Sequence, residues 1–142
     1  MQGHKGLIVW QKAMDLVIAV YRLTSSFPKT EVYGLASQMQ RAAVSVPSNI
    51  AEGHGLKQTQ AYARHLAIAN GSLTELETQL EIARRLGYIT AENESVIDQA
   101  GEVGRMLAGL RRSLHKRIQD SGFGVQDRAG SDSGSGASGP ES

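Results

Sequence analysis

Cysteine is absent from the 142 residues, which removes disulfide scaffolds, cysteine-based zinc sites and thiol nucleophiles together. Proline is scarce, with three residues, and one Trp, four Tyr and two Phe are the only aromatic side chains. Few rings leave little material for a platform that stacks single-stranded bases. Long apolar runs are missing as well. The longest, Leu16 to Tyr21, lies between Asp15 and Arg22 and falls far short of the roughly 18 residues that a membrane span requires. The opening Met1-Gln2-Gly3-His4-Lys5 has no signal-peptide h-region, so the expected location is cytoplasmic, with no membrane partner. One domain is expected from this length.

Net charge is near balance at +1 and names no partner. The balance conceals an asymmetry. Residues 120–142 set Arg128 against Asp120, Asp127, Asp132 and Glu141, and every other charge lies upstream, where basic side chains are in excess. From Ser121 the chain reads SGFGVQDRAGSDSGSGASGPES, a composition too poor in large apolar residues to offset its ordering entropy. Residues 120–142 are therefore expected to be a disordered acidic tail behind a domain of residues 1–119.

Helical periodicity and its punctuation divide that domain. A first helix is predicted over about residues 10–25, ending before Phe27-Pro28. A second, over 31–52, is capped by Thr30, carries a kink at Pro47 and closes at Gly53 and Gly55. A third covers 59–86 up to Gly87, and a fourth covers 91–119 after Thr90. No alternating pattern is long enough for a strand. The fold class is all-α, an antiparallel up-down-up-down four-helix bundle.

Projected at 100° per residue, the first helix has an apolar arc of about 220°, wider than the stripe of roughly 100° that a bundle helix needs. Either this helix is unusually buried or the excess serves self-association through Trp10, Met14, Val17 and Tyr21. Ala100, Gly104 and Ala108 form a ridge of small residues on the fourth helix, explained equally by packing within the chain or between chains.

Four strings carry a resemblance: VWQKAMDLVIAVYRLTSSFP, YGLASQMQRAAVSVPSNIAEGHG, GSLTELETQLEIARRLGYI and VGRMLAGLRRSL. Over about residues 5–118 the chain resembles the bacterial four-helix-bundle family first noticed as products of intervening sequences in 23S (large-subunit) ribosomal RNA genes. Arg41 to Gly53 is the most specific part. The resemblance implies a compact subunit that assembles as a homopentamer. It also implies kinship with accessory proteins of diversity-generating retroelements, which bind nucleic acid and have a reverse transcriptase as protein partner.

Two clusters are candidates for function. Arg41, Ser45, Ser48, Asn49 and Glu52 share one polar face of the second helix with Gln38. That face is either a small polar site, with Arg41 paired to Glu52 across Pro47, or local satisfaction of carbonyls that the proline releases. The stronger signal is basic. Between Glu102 and Asp120 the fourth helix carries Arg105, Arg111, Arg112, Lys116 and Arg117 and no acidic residue. With Arg105 at zero, Arg112 falls at about 340° and Lys116 at about 20°, whereas Val103, Leu107, Leu110 and Leu114 lie opposite. Such a stripe suits phosphate. The alternative is a solvated helix end whose cations complement the dipole.

Enzymatic patterns are not found. No Glu-x-x-His pair supports a dimetal site, and no nucleophile elbow, phosphate loop or dinucleotide fingerprint occurs. The expected function is that of a non-enzymatic oligomer, without cofactor or metal, binding RNA or DNA backbone through the last helix. A scaffold or adaptor that docks a protein partner is the alternative, and a catalytic bundle using the Arg41 to Glu52 face is a third class.

Overall fold

The computed structural model describes residues 3–126. A 3-10 turn, Gly3–Gly6, leads into α1 (Ile8–Thr24), and another, Lys29–Glu31, precedes α2 (Leu35–Gly55). Then follow α3 (Thr59–Arg85) and α4 (Ser95–Gln126), with no strand among the described residues. α1 packs on α2 and α4, and α3 packs on the same two helices. The pairs run antiparallel: Ser45 of α2 meets Ser72 of α3, and Asn49 meets His65.

The apolar positions account for this closure. Leu16 and Val20 of α1, Met39, Val46 and Ile50 of α2, Leu66, Leu73, Leu76 and Leu80 of α3, and Val103, Leu107 and Leu114 of α4 are all fully buried in one core. Each such side chain stabilises by about 1.5–3 kcal/mol relative to exposure. Most of the wide arc on α1 is consumed here, because α1 faces two neighbours. Val17 belongs to this core at 9 % exposure, so its expected place in an interface between chains is corrected. Trp10 is half-buried against the core and meets His4 edge to face at 5.1 Å. Met14 and Tyr21 remain exposed, together with Ile8 and Ile18.

Several boundaries differ from the periodicity reading, for local reasons. Thr30 does not cap α2. Instead Glu31 Oε1 accepts the Leu35 N–H at 3.1 Å, while Glu31 Oε2 accepts the Tyr88 hydroxyl at 3.0 Å. One carboxylate thus caps a helix and ties the α1–α2 connection to the α3–α4 connection. Thr90 opens a turn rather than a helix, its N–H donating to Asn93 Oδ1 at 2.8 Å, and α4 begins at Ser95. At its far end α4 continues seven residues past Gln119 to Gln126, so residues 120–126 are helical and not part of a disordered tail. The remainder of that expectation, residues 127–142, lies outside the described residues. α2 runs unbroken through Pro47, which is buried, and past Gly53 to Gly55.

Two glycines are required by geometry. Gly87 follows α3 with φ of +82°, and the Tyr88 N–H returns to the Ala83 carbonyl at 2.9 Å, the left-handed closure that favours glycine. Gly53 permits α2 and α3 to touch. A Cβ there would stand 2.7 Å from His65 Cβ and 2.9 Å from Tyr62 Cδ1.

Candidate nucleic-acid interface

Amphipathic segregation places the basic stripe. Val103, Leu107 and Leu114 turn inward, fully buried, and Arg105, Arg112, Lys116 and Arg117 on the other sides of α4 are exposed. Arg111 is half-buried and Leu110 packs at the margin of the core. Two helical glycines lie under this face. A Cβ on Gly101 would meet the Arg105 guanidinium at 3.4 Å, and one on Gly109 would meet that of Arg112 at 3.8 Å. The arginine side chains thus lie back over the preceding turn of their own helix.

Beside the stripe, small side chains leave a hollow. Ala63 of α3 and Ala108 of α4, over the buried Leu114, line an open groove of about 590 Å³ together with Arg111, Arg112, His115, Lys116 and Gln119. Arg117 acts electrostatically on Tyr62 of α3. Burial pushes the Tyr62 phenol up and the Arg117 charge pulls it partly back. Among the described residues none of the five α4 cations has a carboxylate within ion-pair distance; the bridges found are Lys12–Glu102, His65–Glu52, Arg84–Glu81 and Arg85–Glu81.

Charge is distributed along the bundle as well as around α4. Residues 49–66 and 103–121, brought together at one end, carry Lys57, Arg64, Arg105, Arg111, Arg112, Lys116 and Arg117 against Glu52 and Asp120. Residues 67–102, toward the other end, carry Arg84 and Arg85 against Glu75, Glu77, Glu81, Glu92, Glu94, Asp98 and Glu102. His54, His65 and His115 all belong to the basic end. Unpaired cations gathered in this way attract polyanions.

The α2 polar face resolves into a chain of hydrogen bonds to α3. Ser45 Oγ and Ser72 Oγ are 2.7 Å apart, and Asn49 Nδ2 donates to the Ser45 carbonyl at 2.9 Å and to Ser45 Oγ at 3.1 Å. Asn49 Oδ1 lies 3.0 Å from His65 Nδ1, and His65 Nε2 lies 3.9 Å from Glu52 Oε2. The expected Arg41–Glu52 pair is not formed: the Arg41 guanidinium donates to Ser37 Oγ instead, one turn back on its own helix. Ser48 is exposed and outside the chain of bonds. The amide satisfies the Ser45 carbonyl and not that of Ala43, the one Pro47 releases, so the expected local satisfaction of the proline's carbonyl is not what Asn49 does. This cluster is a polar clamp between α2 and α3.

His65 and Ser72, the α3 half of the clamp, were not singled out by spacing. Neither were Ala63, His115 and Gln119 in the groove, whereas Ala108 belongs to the small-residue ridge already apparent on the fourth helix. Ala108, Arg112, His115 and Gln119 share one face of α4 at i, i+4, i+7 and i+11, so the α4 half was readable. The α3 half, Ala63, required the packing. The small-residue ridge has an internal use too, since Gly104 receives Leu73 Cδ2 of α3 at 3.4 Å from the position of its absent Cβ.

Fold and site together define an all-α four-helix protein with a cationic end. The family profile described as the 23S rRNA-intervening sequence protein matches residues 5–109, and the chain belongs to that family. Arg105 lies within the match and Arg111, Arg112, Lys116 and Arg117 lie just beyond it. Among solved structures, the chain is similar to a protein of unknown function from the S23 ribosomal protein family of Bacteroides thetaiotaomicron. The two are 23% identical, with a TM-score of 0.68 over 74% of this chain and 96% of that one, a likeness of fold. No curated protein matches the chain. No helix among the described residues is long and apolar enough to cross a membrane.

Proposed function

We propose that this protein is a non-enzymatic, oligomeric bundle that binds the backbone of RNA or DNA through the basic end of α4, as an accessory factor in the cytoplasm. The observation that carries the reading is the set of five cations from Arg105 to Arg117, solvent-facing or half-buried, without carboxylate partners among the described residues. Lys and Arg on one helix face neutralise phosphates and release counterions, giving affinity with little sequence selectivity. Non-enzymatic action is supported by the polar clamp, where the Ser45 and Ser72 hydroxyls engage each other and His65 engages an amide rather than a hydroxyl.

Assembly belongs to the same reading. Met14, Ile18 and Tyr21 recur at i, i+4, i+7 on the outer face of α1 and are each more than a third exposed, a stripe that a neighbouring subunit covers. A homopentamer of 15.2 kDa chains would present five copies of the basic end and multiply its avidity. Docking of a protein partner, such as a reverse transcriptase or an acidic segment, is the second reading. The same unpaired cations favour it, and a complex that survives nuclease distinguishes it.

The test is a variant with Arg105→Glu, Arg112→Glu and Lys116→Glu. All three side chains are exposed, so helicity and thermal midpoint should stay close to those of the unaltered protein. Affinity for duplex DNA or structured RNA should fall about a hundredfold or more. Equal affinity of the two proteins would contradict the reading.

A further inference from the structure

The basic end has two shapes, and they suit different ligands. Arg105, Arg112 and Lys116 form a convex stripe that a duplex backbone can lie across. The groove beside it is concave. Its apolar lining is Ala63 and Ala108, with the buried Leu114 beneath them, and the rest of its lining supplies guanidinium, ammonium, imidazole and amide groups. A phosphate alone has no use for an apolar floor. A base does, because its faces are apolar and its edges carry donors and acceptors.

We propose that the α3–α4 groove seats unpaired nucleotides of a single strand, with phosphates held by Arg111, Arg112 and Lys116 and a base laid on Ala63 and Ala108. This rests on the nucleic-acid reading above and specifies its ligand. His115 and the flat arginine guanidinium groups supply stacking faces, which imidazole and guanidinium planes provide for splayed bases in RNA recognition. Gln119 offers one amide donor group and one carbonyl acceptor to a base edge. A duplex reaches such a hollow only by flipping a base out of its stack, which costs a few kcal/mol. An unpaired strand has no such penalty. The scarcity of aromatic rings therefore does not exclude strand binding, because the stacking surfaces are the histidine and arginine planes of α4.

The experiment uses the full chain and one short labelled oligonucleotide, presented either single-stranded or annealed to its complement, with binding followed by fluorescence anisotropy at low salt. RNA and DNA versions of the oligonucleotide separate the two sources of single strand. Ala108→Phe fills the groove without altering charge. It should weaken single-strand binding tenfold or more and leave duplex binding within about twofold. His115→Ala changes an exposed side chain and leaves the core untouched; it should weaken single-strand binding about fivefold, the loss of roughly 1 kcal/mol of stacking. Should Ala108→Phe fail to fold by circular dichroism, His115→Ala decides the matter. Equal weakening of both ligand forms, or of neither, would overturn the proposal while leaving the backbone reading intact. Absence of binding to either form by the unaltered protein would remove both.

Discussion

The two ends of the bundle handle charge in opposite ways. Toward the α3–α4 connection, two cations are spent on one neighbouring carboxylate: Glu81 accepts from Arg84 Nε at 2.9 Å and Nη2 at 2.8 Å, and from Arg85 Nε at 2.9 Å. Those contacts, with the Glu31 bridge to Leu35 and Tyr88, belong to the folding of this chain alone. At the other end the α4 cations find no carboxylate among the described residues, and α2 and α3 meet through the shared apolar core, the close approach at Gly53 and the polar clamp. Charges that a fold does not use internally are free for a partner. One set of charges is thus paired within the chain, and the α4 set is without a carboxylate partner among the described residues and is the set proposed above for recognition.

The largest effect is expected where the basic end depends on shape. Gly53→Leu would drive a branched side chain into His65 and Tyr62, and should destabilise by about 3 kcal/mol or more, beyond the usual 1–3 kcal/mol of overpacking. Chemical denaturation measures it. Gly53→Ala should also destabilise, because about 1 kcal/mol of helix propensity does not offset the 2.7 Å clash with His65 Cβ. By contrast, Gly71 has nothing within 4 Å of a Cβ position, so Gly71→Ala should stabilise by up to about 1 kcal/mol.

A smaller effect belongs to the acidic end. Glu31→Ala removes the α2 cap and leaves the Tyr88 hydroxyl without its acceptor, at about 1–2 kcal/mol. Tyr88→Phe should show only the second part, a smaller loss than that of Glu31→Ala. That hydrogen bond holds the Tyr88 phenol above its ordinary value, because Glu31 favours the protonated form.

The smallest effect is a dependence on pH. The hydrogen bonds from Arg84 and Arg85 hold the Glu81 carboxyl down to about 2, from 4.5. A carboxyl depressed in the folded state adds stability that is complete above the unfolded value and is lost as pH falls through the folded one. The thermal midpoint of Glu81→Gln should accordingly sit slightly below that of the unaltered protein at neutral pH. The gap should narrow from 4.5 down to about 2. Because the pair is solvent-exposed, the gap at neutral pH should be small.

The parts of this molecule that the sequence announces are those written in local periodicity. The α4 stripe was visible because Arg105, Arg112 and Lys116 repeat with the helix and leucines oppose them, and α3 was visible because Gly87 closes it. Contacts between helices were not visible. Glu31 as a cap depends on a 3-10 turn that precedes α2, a feature with no periodic signature. The pairing of Glu52 with His65 instead of Arg41 follows from which helix lies beside α2, and Val17 lies in the core because α1 has two neighbours. The groove required Ala63 and Ala108 to face each other across two helices, although each alone reads as an ordinary small helical residue.

The division of labour between the two ends is tested most directly by the salt dependence of nucleic-acid affinity in three proteins. These are the unaltered chain, the variant with Arg105→Glu, Arg112→Glu and Lys116→Glu, and a variant with Arg84→Glu and Arg85→Glu at the opposite end. On duplex DNA between about 50 and 200 mM salt, the plot of log K against log salt should be steep for the unaltered chain. It should be shallower by roughly 0.9 for each phosphate contact that the first variant loses. Changing Arg84 and Arg85 should leave the slope unchanged. Equal slopes for all three proteins, or a loss confined to the Arg84 and Arg85 variant, would contradict the assignment of recognition to α4.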